Sequence, residues 1–152
     1  MSFLEDFEHD EVDDVNFKDF YDVIRENLDA FEGEYEAFID YGPDLFKLLT
    51  EILNEEIIGS KTRLKVCAAI AYYVAPFDII PETIYGPQGY IDDIFVCTFV
   101  LKEIESDMGI KFLENLWEGE DDLNYVLEEA YSKSKIVIED QIEDILKFIG
   151  II

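Results

Sequence analysis

Apolar residues recur at three- and four-residue steps through most of this chain. Phe17, Phe20, Tyr21, Ile24, Leu28 and Phe31 open the pattern, the spacing of one buried helix face. The stripe can be followed on to Tyr35, Phe38 and Ile39, with Gly33 as its weak point and Tyr41-Gly42-Pro43 as its end. Pro43 or Asp44 then opens a second helix. Leu45, Leu48, Leu49, Ile52 and Leu53 form its stripe, and Gly59 is its expected stop. Ser60 is a good N-cap for a third helix from Lys61 to about Ala75. On that helix Leu64, Cys67, Ala68, Ala71, Tyr72 and Ala75 share a face, and the alanines permit close helix–helix approach. A fourth helix is predicted from near Tyr90 to about Ser106. Its interior, IFVCTFVL, is apolar on nearly every side, and its length favours a buried helix over a strand. Two further helices are predicted, Asp121 to Ser132 and Ser134 to Ile149, the last ending at Gly150. The fold expected is therefore all-α: a compact domain of five to seven helices with a central helix–loop–helix over 61–75 and 90–106.

Charge changes this picture by zoning it. Among 152 residues there are 37 acids and 11 bases, a formal net charge of -26. Residues 1–60 hold 19 acids and 3 bases, residues 61–102 four of each, and residues 103–152 hold 14 acids and 4 bases. A neutral apolar centre is thus flanked by acidic arms. No Gly/Ser/Pro-rich linker divides them, so a single helical domain is expected over 15–152, preceded by an acidic, flexible tail over 1–14. Such a charge argues against direct binding of nucleic acid or of an anionic membrane. It favours a positively charged partner, whose approach opposite fields accelerate. The N-terminus lacks a basic region followed by an apolar run, so no secretory signal is read there. The two cysteines, Cys67 and Cys97, each sit in an apolar run, which predicts buried, reduced thiols and a cytoplasmic setting.

The segment APFDIIPETIYGPQGYIDD, residues 75–93, is the part that ordinary packing explains least. Pro76, Pro81 and Pro87 restrict its backbone, while Gly86 and Gly89 permit turns. Two readings of its acids stand side by side. In one, Asp78 caps a short turn, and Asp92 and Asp93 sit in the first turn of the fourth helix, where the helix dipole favours carboxylates. In the other, Asp78, Glu82, Asp92 and Asp93 converge on magnesium or calcium, the cations an all-oxygen site suits, or on Lys61, Arg63 or Lys65 as internal counter-charges.

The run AYYVAPFDIIPETIYGPQGYIDDIF resembles the core of the YkvA-like domain family. Pro76, Asp78, Ile80 and Pro81 match the first half of that family's signature, and Gly89, Asp92 and Asp93 match the second. Glu82 departs from it, standing where aspartate is usual. The resemblance covers about residues 60–105. It implies a small helical fold, and it brings no settled activity.

Motifs for other chemistry are missing. The sequence has no CxxC, no phosphate-binding glycine loop ending in Lys-Ser/Thr, and no HExxH; its only histidine is His9. The function expected is a non-catalytic, acidic protein-interaction module, such as an inhibitor or immunity-type partner of a basic protein. Phe3, Phe7, Tyr35 and Trp117, each beside acidic clusters, are its candidate anchors. A divalent-metal protein using the four loop carboxylates, and a peripheral membrane protein using the 66–81 run, are the alternatives.

Overall fold

The computed structural model describes residues 17–74 and 86–150. Among these there are seven α-helices and no strand, so the domain is all-α. They are α1 (Phe17–Ala30), α2 (Gly42–Leu53), α3 (Ser60–Val74), α4 (Ile91–Met108), α5 (Ile110–Leu116), α6 (Leu123–Val137) and α7 (Ile142–Phe148). Short 3-10 turns at Ala37–Tyr41, Gly86–Tyr90 and Glu139–Gln141 lead into α2, α4 and α7.

α4 is the centre, for the reason its composition gives. Apolar side chains on all sides of a helix must be covered on all sides. Ile94, Phe95, Val96, Cys97, Val100 and Leu101 are all buried, under α2, α3, α5 and α6. Thr98 is buried among them, and its hydroxyl donates back to the carbonyls of Ile94 and Phe95 at 3.0 Å each. α3 packs on α4, as expected of the central pair, and Tyr73 joins the two to α2. Its ring lies 5.3 Å from Phe46 and 5.7 Å from Tyr90, centroid to centroid.

The face by which α3 packs is not the alanine face. Val66, Ala69, Ile70 and Tyr73 are buried together with Tyr72 of the predicted face, whereas Leu64 is 71% exposed and Cys67 and Ala71 also face outward. The expectation of two buried thiols is corrected accordingly: Cys97 is buried and Cys67 is exposed. Burial pushes the Cys97 thiol well above its ordinary range.

Several boundaries differ from the sequence expectation, each for a local reason. α1 stops at Ala30, and Phe38 and Ile39 reach the core from a separate 3-10 turn. α2 stops at Leu53, where Arg63 donates to the carbonyls of Leu53 (2.8 Å) and Glu55 (3.0 Å), satisfying the chain as it leaves the helix. α6 runs straight through Ser134, whose buried hydroxyl donates to the Ala130 carbonyl at 2.6 Å. The break falls instead at Ile138–Gln141. α5, which the sequence reading did not anticipate, joins α4 to the segment 117–122.

Candidate partner-binding cleft

The predicted acidic constellation is placed in two parts. Pro76, Asp78, Pro81 and Glu82 lie outside the described residues, as do Phe3 and Phe7. Gly89, in the turn before α4, is buried. Asp92 and Asp93 occupy the first turn of α4, as expected, and both are 0% exposed. Asp92 is held on both oxygens: Tyr72 Oη donates to Oδ2 at 2.7 Å, and the Asp93 amide donates to Oδ1 at 3.1 Å. This carboxylate ties α3 to α4 from inside the core.

The metal expectation is corrected by the same geometry. Among the described residues no group of three or more His, Cys, Asp or Glu side chains could hold a metal ion. Within the described residues Asp92 accepts from a tyrosine hydroxyl and a backbone amide, bonds that serve the packing of α3 on α4. Two of the three basic residues offered as alternative counter-charges are engaged elsewhere, and Lys61 is exposed. Arg63 closes α2, and Lys65 pairs with Glu103 at 2.6 Å.

Tyr35 and Trp117, the two candidate anchors within the described residues, line one cleft of about 720 Å³. Its walls come from α1, the 31–41 connection, the start of α2 and the segment that follows α5. Sequence separation had hidden this meeting, since Tyr35 and Trp117 are brought together only by tertiary packing. Trp117 ends α5, and its indole Nε1 donates to the Asp121 carbonyl at 2.8 Å, fixing the ring across a tight loop. Gly119 is needed under that ring: a Cβ there would lie 2.2 Å from the indole. The loop ends where the Asp122 carboxylate accepts from the Tyr125 amide at 3.0 Å and caps α6.

On the opposite wall Tyr35 Oη donates to Asp40 Oδ1 at 2.7 Å. Arg25 Nη2 donates to the Asp40 carbonyl at 2.9 Å, with Nη1 3.8 Å from Oδ1. Phe31 packs edge-on against Tyr35, ring centroids 6.0 Å apart. Burial, and then the bond to Asp40, push the Tyr35 hydroxyl up to about 12, so it stays a donor at any ordinary pH. Burial also raises Tyr41, with a bond to Asp121 adding to the effect.

Charge in the cleft is one-sided. Asp29, Asp40, Asp44, Glu118, Glu120 and Asp121 line it against the single guanidinium of Arg25. Lys47, at its edge, pairs with Glu118 at 3.1 Å and lies 5.3 Å from the centroid of the Tyr21 ring. Asp44 is the most sheltered acid of the set. Burial raises its pKa, and Arg25, Tyr21 and Lys47 only partly offset this. Arg25, Asp40 and Gly119 were not singled out from sequence, and Asp44 was read only as an opening of the second helix. The readable signal was the run LWEGEDD, a tryptophan and a glycine embedded in acids immediately before a capped helix.

Two kinds of similarity bear on identity. A family model described as "Protein of unknown function (DUF1232)" matches residues 62–99, the span of α3, the following segment and the first half of α4. A protein of Methanothermobacter thermautotrophicus, described as "Uncharacterized protein ORF9", is 38% identical over 129 residues, which is 85% of this chain and 88% of that one. The E3 ubiquitin-protein ligase RNF170 of Xenopus tropicalis is 32% identical over 95 residues, 55% of this chain and 37% of the ligase. Its Xenopus laevis counterpart is 34% identical over 79 residues, 47% of this chain and 31% of the ligase. The chain thus spans about a third of the length of these ligases. No solved structure matches. With α3 and α4 packed as one unit and Tyr72 joined to Asp92 across them, the chain belongs to the DUF1232, or YkvA-like, family of small helical domains.

Proposed function

We propose that this protein is a non-catalytic interaction module that takes a basic segment of another protein into the cleft between Tyr35 and Trp117. The observation that carries the reading is the pairing of aromatic faces with carboxylates in one concavity. A lysine or arginine side chain gains from an aromatic face beneath it and from a carboxylate beside it, and each contact strengthens as the other excludes water. Lys47 over Tyr21 is this chain's own example of the arrangement. Large, rigid aromatics supply affinity as anchors, and the six acids supply attraction and orientation.

An inhibitor of a basic protein is the specific form the charge favours, because the acidic arms that supply the cleft carry most of the chain's net charge of -26. The recurrence of this domain within a longer protein named as a ubiquitin ligase is in keeping with a unit that contributes contacts. No described helix is long and apolar enough to cross a membrane, and the reading requires none.

Calorimetry with a basic protein recovered alongside this chain from native cells, run at low and at physiological salt, tests the proposal. Long-range steering fades as the Debye length falls to about 8 Å, whereas a packed aromatic contact persists. Binding that survives physiological salt and weakens at least tenfold in a Tyr35→Ala, Trp117→Ala double variant is the expected result. Binding that disappears on screening, or that ignores the double variant, would remove the cleft from the account.

A further inference from the structure

The outward face of α3 shares no residue with the cleft. Leu64 is 71% exposed, Val74 is 37% exposed, and Cys67 and Ala71 lie between them on the same side. Beside the second half of this face α7 brings up Phe148, itself 68% exposed, with its ring 6.3 Å from that of Tyr72. Ala68, Ala71, Tyr72, Phe148 and Ile149 line an open, shallow pocket of about 240 Å³. The first half of the face therefore presents an apolar projection, and the second half presents an apolar hollow.

We infer that this face pairs with the same face of a second copy of the chain, the two α3 helices lying antiparallel about a two-fold axis near Cys67 and Ala68. A two-fold interface must be self-complementary, each patch meeting its own other half. With the axis between residues 67 and 68, Leu64 of one copy stands opposite Ala71 of the other, at the mouth of the pocket under Phe148. The reciprocal contact forms at the same time. Alanine at 68 and 71 allows the backbones close enough for leucine to fill the hollow. A different protein would gain from either half alone and gives no reason for both to lie on one helix.

Charge selects the same occupant. Two copies carrying -26 each repel at nearly every approach. Residues 60–74 hold three bases and none of the chain's 37 acids, so α3 against α3 brings no carboxylate of either helix toward the other. Lys61 is exposed and makes no ion pair among the described residues. In the antiparallel pairing it lies level with Val74 of the second copy. That end of the face is the half that α7 borders through Phe148. The seam is therefore apolar, with a lysine and no α3 carboxylate at either end.

Sedimentation equilibrium of the full chain tests this, at concentrations up to roughly 100 µM because a patch of this size gives a weak dimer. The mass should move from 17.7 kDa toward twice that value. It should do so more readily as salt rises, the opposite of the salt response expected for a basic partner in the cleft. Diamide, which takes the two thiol hydrogens and becomes the hydrazine as the disulfide forms, should link the copies through Cys67. Cys67→Ser should abolish the link, since Cys97 is buried. Leu64→Asp and Ala71→Trp change exposed positions; each should leave far-UV circular dichroism unchanged, restore the 17.7 kDa mass and prevent crosslinking. A wild-type protein that stays monomeric at every concentration and salt overturns the inference. So does a Leu64→Asp variant, folded by circular dichroism, that associates as well as the wild type, or this face being taken by another protein while the isolated chain remains monomeric.

Discussion

Tyr72 and Asp92 join the two helices that define the family match, and their 2.7 Å bond lies inside the core. A hydrogen bond to a buried carboxylate is worth about 1.5–3 kcal/mol, because its loss leaves the charge poorly compensated. Tyr72→Phe should therefore lower the unfolding free energy from urea titration by that amount, moving the midpoint down without changing the helical spectrum; an unchanged midpoint would mean the pair is incidental. The thiols divide in the same way. Cys67 should label rapidly in the native protein and Cys97 only on unfolding, a two-phase trace with a thiol reagent. Asp44 runs the other way. Its folded pKa is raised by burial, so the native state favours its protonated form. Its contribution to stability is complete below the ordinary aspartate value and is lost as pH rises through the folded value. Asp44→Asn should accordingly raise the melting temperature at pH 7 while weakening the attraction of the cleft for cations. Equal melting temperatures at pH 7, or a wild-type advantage there, would contradict the sheltered carboxylate.

At the scale of elements, close approach between helices can be tested at Gly42, the first residue of α2. A Cβ there would lie 2.5 Å from Tyr73 Oη and 3.4 Å from Ile94 Cδ1. Tyr73 is 1% exposed and packed against three other rings, so it has little room to move. Gly42→Ala should cost about 1–3 kcal/mol by overpacking, although alanine is the better helix former; a stabilised variant in urea would show that the ring can yield. What the sequence made legible follows from this kind of packing. α2 and α4 were readable because their apolar spacing is regular and α4 has no polar face to misplace. α3 was readable as a helix but misoriented. It has apolar residues on both sides, and periodicity cannot choose between Val66-Ala69-Ile70-Tyr73 and Leu64-Cys67-Ala68-Ala71. α5, seven residues long, is too short to carry two repeats of any pattern. Ser134 looked like a break because its local back-bond to Ala130 is invisible until the helix exists. Of the cleft, the anchors Tyr35 and Trp117 were legible as aromatics among acids. Arg25, Asp40 and Asp44 were not, since their place depends on how α1, α2 and the loop after α5 come together.

For the whole molecule, charge is distributed so that different surfaces answer salt in opposite senses. The cleft gathers six acids around five aromatic rings, and its attraction for a basic partner declines as salt screens it. The outward face of α3 is apolar and free of acids, so association there strengthens as repulsion between copies is screened. Recognition and self-association, as proposed, thus fall to surfaces of different charge.

The cleft itself is open to direct observation, because Trp117 is the only tryptophan. Its emission can be followed while a tyrosine-free, tryptophan-free peptide of mixed lysine, arginine and leucine is added at roughly 0.15 M salt, where exposed charges act over only about 8 Å. A saturable shift in Trp117 emission, reduced at least tenfold in apparent affinity by Tyr35→Ala and by Gly119→Ala, is the result this account predicts. Emission that stays constant while calorimetry records the same peptide binding would place the interaction elsewhere and contradict the cleft as its site.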